Sequence, residues 1–287
     1  MQKQLNSKTI RALALDLDGT ALLPDTTLGE RTAKCLRNLI RRDIQVIFCT
    51  GRAIEGAERF RIAIGAEGPM VFFNGAEVVD MPSGEIISAD LLDLDVVNFG
   101  IDLARSMDVH YQIYLPAGTA VDGVKSKWEA LVIDKPTPES EIYRNHTGIV
   151  PLVKDLKEIC ATPGLRGCVK VMFISDPARH DEIRQKTLDR FGSEVYVART
   201  FPTFLEIMNA GVSKGAGLKT AMKRRGLEAG EVIALGDEEN DLLMFNAAGF
   251  SAAPANAREK VRAAADFVFA SNAGEGLAAF LEDLFKI

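Results

Sequence analysis

The sequence is poor in the residues that build disulfide scaffolds and histidine–cysteine metal centres. Its 287 residues include four cysteines and three histidines. The cysteines form no C-x-x-C pair, and their density is far too low for a disulfide framework. The histidines (His110, His146 and His180) are scattered without ligand spacing, which favours surface or packing roles for them.

The sequence also lacks long apolar runs and an excess of positive charge. No run reaches transmembrane length, and residues 1–6 contain no apolar core of a secretory signal. The net charge of −6 argues against a general nucleic-acid binder, although it leaves room for a local basic pocket that takes an anionic substrate. We therefore expect a cytoplasmic protein with neither a membrane nor a nucleic-acid partner.

What the chain does have is a pair of carboxylates at the end of an apolar segment. The run Asp16-Leu17-Asp18-Gly19-Thr20 follows residues 10–15, which read as a buried strand. With the alternation of an extended chain, Asp16 and Asp18 point to one side while Leu17 faces away. Paired carboxylates at such a place suit a hard cation, with one acid left to attack and the other to move protons. Alone, the same run is also compatible with a turn or a helix cap.

Strand and helix patterns alternate at both ends of the chain. Apolar segments near 10–15, 44–49 and 70–73 alternate with helical patterns near 28–42 and 53–64. The rhythm returns with a helix at 215–225, strands at 232–235, 249–252 and 266–269, and a final helix at 275–285. This order predicts an α/β fold with a doubly wound, parallel-sheet (Rossmann-like) core.

The middle of the chain follows a different pattern. Candidate helices at 94–107, 151–160 and 178–191 are mixed with strands at 110–114 and 169–174, and proline and glycine punctuate the stretch. We therefore predict an inserted α+β cap domain over 84–206. The catalytic core is then discontinuous and consists of residues 1–83 and 207–287.

Polar residues follow the apolar strands at several places in the predicted core. They are Asp16 and Asp18, Thr50-Gly51, Lys214 at a helix start, and the run from Asp237 to Asp241. Because the ends of parallel strands lie side by side, these residues can converge in one crevice. Together they supply what phosphoryl transfer needs, namely a nucleophile, a proton donor, metal ligands and anion-binding groups. Singly, Thr50 and Asp237 could be helix caps and Lys214 a solvated lysine.

Four ordered motifs resemble those of the haloacid dehalogenase-like hydrolases, and more narrowly those of the Cof-type phosphatases with a large cap. The motifs are Asp16-Leu17-Asp18-Gly19-Thr20, Cys49-Thr50-Gly51-Arg52, Leu205-Glu206-Ile207 running to Gly211-Val212-Ser213-Lys214-Gly215, and Leu235-Gly236-Asp237-Glu238-Glu239-Asn240-Asp241. The resemblance covers the whole chain in order and spacing, with a cap-sized insert between the second and third motifs.

The resemblance implies a role for each matching residue. Asp16 would be the nucleophile and Asp18 the general acid and base. Mg²⁺ would be held by the carboxylates of Asp16 and Asp237 and the backbone carbonyl of Asp18. The phosphoryl group would be bound by Leu17, Thr50, Gly51, Lys214 and Asn240, and Lys214 would also be catalytic. Asp241 would support the metal site or Lys214. Asn74-Gly75 would lie on the substrate side.

The function predicted in this way is that of a magnesium-dependent phosphatase. Its substrate would be a small phosphorylated metabolite, such as a sugar phosphate, hydrolysed through an aspartyl-phosphate. One alternative is a phosphomutase, which passes the phosphoryl group to a second hydroxyl. Another is a non-catalytic metabolite sensor. The intact motif residues argue against it, namely Asp16, Asp18, Lys214 and Asp237. The chain carries no motif for the identity of the substrate, for the cap residues that select it or for an oligomeric state.

Overall fold

The structure, a computed structural model, describes residues 7–287. Residues 1–6, where the sequence lacks a signal-like apolar core, lie outside the described part. The first stretch contains β1 (Ala12–Leu15), α1 (Glu30–Ile40), β2 (Gln45–Phe48), α2 (Ile54–Ile64), β3 (Gly68–Phe72), β4 (Glu77–Met81) and β5 (Glu85–Ala89).

The middle stretch alternates short strands with helices. It contains β6 (Leu92–Asp93), α3 (Leu94–Met107), β7 (His110–Leu115), β8 (Ala120–Val121), β9 (Val124–Lys125), β10 (Ala130–Ile133), α4 (Pro138–Thr147), β11 (Leu152–Val153), α5 (Leu156–Cys160), β12 (Gly167–Cys168), β13 (Lys170–Ile174), α6 (His180–Phe191), β14 (Val195–Phe201) and β15 (Phe204–Asn209).

The last stretch returns to the strand–helix alternation of the first. It contains α7 (Lys214–Arg225), β16 (Val232–Leu235), α8 (Leu242–Ala247), β17 (Phe250–Pro254), α9 (Glu259–Ala264), β18 (Phe267–Phe269) and α10 (Gly276–Phe285). Within residues 7–287, no helix has both the length and the apolar character needed to cross a bilayer. The cytoplasmic location stays a prediction.

The chain forms two compact units. The first unit comprises the stretch up to Arg52, Ala57–Ser88 and Ser213–Ile287, and the second comprises Ala53–Gly56 and Ala89–Val212. The first unit contains a five-stranded sheet in the order β18-β17-β16-β1-β2, and every pairing in it is parallel. The predicted α/β class with a parallel-sheet core is therefore confirmed.

Apolar packing on the sheet explains why its strands read as nearly continuous hydrophobic runs. All four residues of β1 are buried. Ala12 and Ala14 belong to a cluster that includes Leu218 of α7 and Met244 of α8. Strands of a parallel sheet that is covered on both faces lose the polar positions of a half-exposed strand.

The register of the sheet sets the place of the site. Leu15, the last residue of β1, is paired with Leu235 of β16 on one side and with Phe48 of β2 on the other. The residues that follow these three strands therefore leave the sheet at the same edge. Asp16, Gly236 and Cys49 are the first of them, and the polar motifs begin there.

Among residues 7–287, the third predicted core strand joins the parallel sheet at one parallel bridge only, and along its length it pairs with β4. β3 forms an antiparallel sheet with β4 and β5, and it meets the parallel sheet at a bridge between Cys49 and Val71. The cause is the tight turn after β3, where three consecutive residues have positive φ: Phe73 (48°), Asn74 (57°) and Gly75 (106°). This turn reverses the chain so that β4 runs back along β3.

The second unit is built on a six-stranded mixed sheet in the order β11-β10-β7-β13-β15-β14. One face of the sheet, including Ile113 and Phe173, packs with Val97 and Ile101 of α3 in an apolar cluster. The helix predicted over 151–160 is wrong in its first half, because β11 occupies Leu152–Val153. The helix α5 begins only after Asp155, whose side chain caps it by accepting hydrogen bonds from the backbone N–H groups of Lys157 and Glu158. Whether 84–206 acts as a cap domain stays a prediction.

Candidate active site

Three buried carboxylates lie together at the edge of the parallel sheet. Asp16 follows β1, Asp237 follows β16, and Asp241 comes one turn later in front of α8. One oxygen of each carboxylate lies within 4.8 Å of one oxygen of each of the others. This arrangement is the convergence of strand ends that the sequence predicts, and it provides oxygen ligands of the kind that Mg²⁺ prefers.

Lys214 joins two of these carboxylates. Its Nζ lies 2.7 Å from Oδ1 of Asp16 and 2.7 Å from Oδ1 of Asp241. It is the first residue of α7, and the preceding Ser213 caps that helix by accepting a hydrogen bond from the backbone N–H of Ala216. Burial works against the ammonium form, but the adjacent Asp16 and Asp241 outweigh it and raise the pKa of Lys214.

The carboxylates themselves are held in an unfavourable environment. Burial raises the pKa of Asp16 well above its usual value, and the negative charges of Asp241 and Asp237 add to this, while Lys214 lowers it. Burial, followed by the charge of Asp241, raises the pKa of Asp237 to about 6. Three ionised carboxylates and one ammonium leave a net charge of −2, which a divalent cation would neutralise.

The oxygens of the cluster are unequally occupied. Asp241 accepts from Lys214 at Oδ1 and from the backbone N–H groups of Asp237 and Glu238 at Oδ2. Oδ1 of Asp237 accepts from the hydroxyl of Thr20 at 2.9 Å. Among the hydrogen bonds of residues 7–287, none engages Oδ2 of Asp16 or Oδ2 of Asp237. These two carboxylates are thus the better candidates for a metal, and Asp241 is placed to support them.

The turn after Asp16 brings a glycine against Asp237. Gly19 has a φ of +73°, and a Cβ at that position would lie 2.1 Å from Oδ2 of Asp237. Only glycine avoids both the strain and the clash. The Gly-Thr pair of the motif therefore positions Asp237: Gly19 leaves space for its carboxylate, and the Thr20 hydroxyl donates a hydrogen bond to it.

A second group of predicted residues surrounds the end of β2. Thr50 is fully buried, and its backbone carbonyl accepts from the N–H of Asn74 at 2.9 Å. The side chain of Asn74 accepts from the Nδ2 of Asn240 at 2.9 Å, and a Cβ on Gly51 would touch the same Asn74 amide. A Cβ on Gly75 would lie 2.2 Å from the carbonyl oxygen of Ser213, next to Lys214. The two groups of residues are therefore adjacent.

Comparison with known proteins agrees with this arrangement. A family model described as haloacid dehalogenase-like hydrolase matches residues 13–281. The chain belongs to this family. It is 29% identical over 282 residues to the 5-amino-6-(5-phospho-D-ribitylamino)uracil phosphatase YitU of Bacillus subtilis (strain 168), covering 96% of this chain and 97% of that protein. Over 236 residues it is 27% identical to the HMP-PP phosphatase of Cronobacter sakazakii, covering 82% of this chain and 80% of that protein.

Solved structures show the same fold. A haloacid dehalogenase-like hydrolase from Bacteroides thetaiotaomicron superposes with a TM-score of 0.85 at 24% identity, covering 96% of this chain and 100% of that one. The predicted family is therefore confirmed, and with it an enzyme of the phosphoric monoester hydrolase class.

In this hydrolase the Asp18 side chain lies apart from the buried carboxylates. The alternation expected for Asp16 and Asp18 fails because β1 ends at Leu15 and Leu17, between the two aspartates, already belongs to the helical turn Leu17–Ala21. Asp18 is half exposed and forms a two-pronged ion pair with Arg52, in which Nε donates to Oδ2 at 2.7 Å and Nη2 donates to Oδ1 at 2.6 Å. The buried Leu17 lies between the two aspartates in sequence.

The structure also brings in residues for which no role was predicted from the sequence. Arg52 directly follows Thr50-Gly51 and Thr20 directly follows Gly19, so both lie inside the motifs. This position could have indicated a role for them. Asn256 lies far along the chain, and its Nδ2 donates to the carbonyl of Gly19 at 2.8 Å. It holds the turn that carries Asp18 and Gly19, and the resemblance of Asn256-Ala257 to the family's C-terminal pattern was the signal available in the sequence.

Proposed function

We propose that this hydrolase removes the phosphoryl group from small phosphomonoesters, sugar phosphates among them, through an aspartyl-phosphate on Asp16. The observation that carries the proposal is the position of Lys214, whose Nζ lies 2.7 Å from both Asp16 and Asp241 inside a buried carboxylate cluster. An ammonium so placed neutralises the nucleophile's neighbours and faces the charge of an incoming phosphoryl group.

The residues present fit a magnesium ion. Asp16 and Asp237 would hold it through the carboxylate oxygens that are left open, together with the backbone carbonyl of Asp18, and Asp241 would support this set. Two carboxylates leave the remaining positions to waters and substrate, as Mg²⁺ prefers. When bound, the ion neutralises charge on the phosphoryl oxygens and the carboxylates.

The chemistry has two halves. In the first, the Asp16 carboxylate attacks phosphorus, the bond from phosphorus to the leaving oxygen breaks, and the leaving alcohol takes a proton from Asp18. In the second, water attacks the phosphorus of the aspartyl-phosphate and Asp18 takes the water's proton. The bond between phosphorus and the Asp16 oxygen breaks, which releases inorganic phosphate and regenerates the Asp16 carboxylate. The phosphoryl oxygens would be held at Leu17, Thr50, the N–H of Gly51, Lys214 and Asn240, and Asn74-Gly75 would border the substrate.

The substrate class rests on the relatives. One is named for a phosphorylated ribitylamino compound and another for the phosphate compound HMP-PP. Both names support a small phosphorylated metabolite as the substrate of this chain. The division into a core of 1–83 and 207–287 and a cap of 84–206 is part of the same proposal.

A phosphate-release screen tests the proposal. The purified protein is incubated with a panel of phosphorylated metabolites in the presence of Mg²⁺ or EDTA. We expect Mg²⁺-dependent release that falls by at least about a thousandfold in Asp16→Asn, with an unchanged circular dichroism spectrum. The exposed Asp283→Asn serves as the matched control and should keep full activity.

Three results would contradict the proposal. Full activity of Asp16→Asn would remove Asp16 as the nucleophile. Conversion of a sugar phosphate to an isomer without free phosphate would identify a mutase, and absence of turnover across the panel would favour a metabolite sensor.

A further inference from the structure

The ion pair between Arg52 and Asp18 is the closest contact of the proposed acid. The guanidinium fork occupies both oxygens of the carboxylate, at 2.7 and 2.6 Å. A bidentate pair of this kind fixes the plane of the carboxylate as well as its position. The carboxyl group has about four lone-pair sites, so the proton that Asp18 gives to the leaving oxygen must lie on a site that the fork leaves open.

The backbone that carries Arg52 is fixed at both of its polar groups. The N–H of Arg52 donates to the Thr50 hydroxyl at 3.1 Å, and its carbonyl accepts from the N–H of Phe73 at 3.1 Å. The guanidinium also lies 5.4 Å from the centre of the Phe60 ring. Arg52 is therefore an anchored group, with its side chain mostly buried, facing an Asp18 side chain that is half exposed.

Asp18 has less support of its own. It lies in the turn that begins after Asp16, next to Gly19 with its positive φ, and outside the buried cluster. A half-exposed aspartate on a turn samples several rotamers unless a partner selects one. Proton transfer requires the carboxyl group within hydrogen-bond reach of the leaving oxygen, so its orientation limits the rate.

We infer that Arg52 is a positioning residue, which holds the Asp18 carboxyl group in the orientation needed for proton transfer to the leaving group. This inference rests on the proposed function, since it assumes that Asp18 protonates a leaving alcohol. It assigns to Arg52 a role through Asp18 rather than a contact with the phosphoryl group.

The leaving group of the substrate separates this role from others. An alkyl phosphate needs a proton on its leaving oxygen, whereas 4-nitrophenyl phosphate releases a stabilised phenolate and needs little help. The parameter to compare is kcat/KM, because it reports the steps up to departure of the leaving group. General acid catalysis contributes about 10²–10⁴-fold, so loss of orientation should cost a part of that.

The experiment measures kcat/KM of Arg52→Ala and Arg52→Lys on both kinds of substrate. The alkyl substrate is the best one found in the phosphate-release panel. We expect Arg52→Ala to lose about 10–100-fold on it and less than about threefold on 4-nitrophenyl phosphate. Arg52→Lys should be intermediate, because an ammonium cannot form the two-pronged pair.

A double-mutant cycle and a matched control complete the design. In the Asp18→Ala background, Arg52→Ala should have no further effect, since the two residues act as a unit. Added guanidinium chloride at millimolar concentration should restore part of the activity of Arg52→Ala but not of the double variant. Arg59→Ala, which removes the other guanidinium near Phe60 (4.6 Å from its ring centre), should behave like wild type.

Each contrary result has its own meaning. Equal losses on both substrates, or additive effects of Arg52→Ala and Asp18→Ala, would overturn the positioning role and point to phosphate binding or to folding. A wild-type protein inactive on every substrate would instead overturn the proposed function on which the inference rests.

Discussion

Glu129 should make the protein less stable as the pH rises, which is opposite to the behaviour of an ordinary surface carboxylate. This residue comes just before β10 in the second unit and is 6% exposed. Its Oε1 accepts from the backbone N–H of Glu55 at 3.4 Å, in the Ala53–Gly56 segment of the same unit, and its Oε2 is buried without a hydrogen-bond partner. Burial raises the pKa of Glu129 to about 7.

The magnitude follows from the difference between the folded and unfolded pKa. The folded pKa of about 7 exceeds the ordinary value of 4.5. At about 1.4 kcal/mol per unit, a difference of this size corresponds to about 3 kcal/mol. The contribution is fully present below pH 4.5, where both states carry the proton. It is lost as the pH rises from 4.5 to about 7, because the unfolded state gives up its proton in this range while the folded state keeps the buried carboxyl group neutral.

Other charges near Glu129 are already balanced. Lys170 and Glu206 form a buried ion pair at 2.9 Å, and the hydroxyl groups of Tyr114 and Tyr143 are hydrogen bonded to each other. Burial opposes the charge of Lys170, but the carboxylate of Glu206 raises its pKa. This lysine therefore stays charged across the range tested, and the change with pH is assigned to Glu129.

The assay compares Glu129→Gln with the wild type by urea denaturation at several values between pH 5 and 8. The variant should gain stability relative to the wild type as the pH rises, by about 2.5 kcal/mol between pH 5 and 8. The exposed Glu194→Gln serves as a control with a constant difference. A difference between Glu129→Gln and wild type that stays flat with pH would refute the reasoning.

Two further predictions concern the carboxylate cluster. Lys214→Met leaves the buried Asp16 and Asp241 without their cation, and should lower the free energy of unfolding at pH 8 by about 3–5 kcal/mol. A free energy of unfolding equal to that of the wild type, measured by urea denaturation, would contradict this. Gly19→Ala places a Cβ 2.1 Å from the Asp237 carboxylate, so we expect the Mg²⁺-induced rise in the melting temperature of the wild type to be lost, and an unchanged rise would contradict it.

The parallel sheet could be predicted because its information is local. β1 is apolar throughout and is followed by an aspartate, and mostly apolar segments likewise precede Thr50 and Asp237. Runs of this kind are typical of strands covered on both faces. Since parallel strands end at one edge, the meeting of Asp16 with Asp237 followed from the topology alone.

The pairing of β3 with β4 could not be predicted in the same way. The residues of β3 are as apolar as those of β1, so the sequence of the strand does not distinguish a parallel neighbour from an antiparallel one. The turn at Phe73, Asn74 and Gly75 decides the pairing, and two of these three residues take a positive φ without being glycine. Tertiary contacts hold that conformation, among them the bond between the side chains of Asn74 and Asn240.

Side-chain partners were the least accessible part of the site. Strand alternation predicts Asp18 beside Asp16, but the strand ends at Leu15 and Leu17 begins a helical turn, so the alternation does not extend to Asp18. The ion pair of Asp18 with Arg52 joins residues 34 positions apart. Such a contact depends on the relative height of two loops above the sheet, and a sequence pattern does not encode that distance.

The charges of the carboxylate cluster lower the stability of the fold but are needed for the chemistry. Burial and mutual repulsion raise the pKa of Asp16 and of Asp237, so the folded protein holds these charges less readily than water does. A cluster selected for stability alone would replace them with apolar residues of similar size. The fold instead surrounds them with donors: Lys214 on Asp16, Thr20 on Asp237, and two backbone N–H groups on Asp241. Charge kept at such a cost, at the sheet edge where ligands bind, is what a phosphatase site requires.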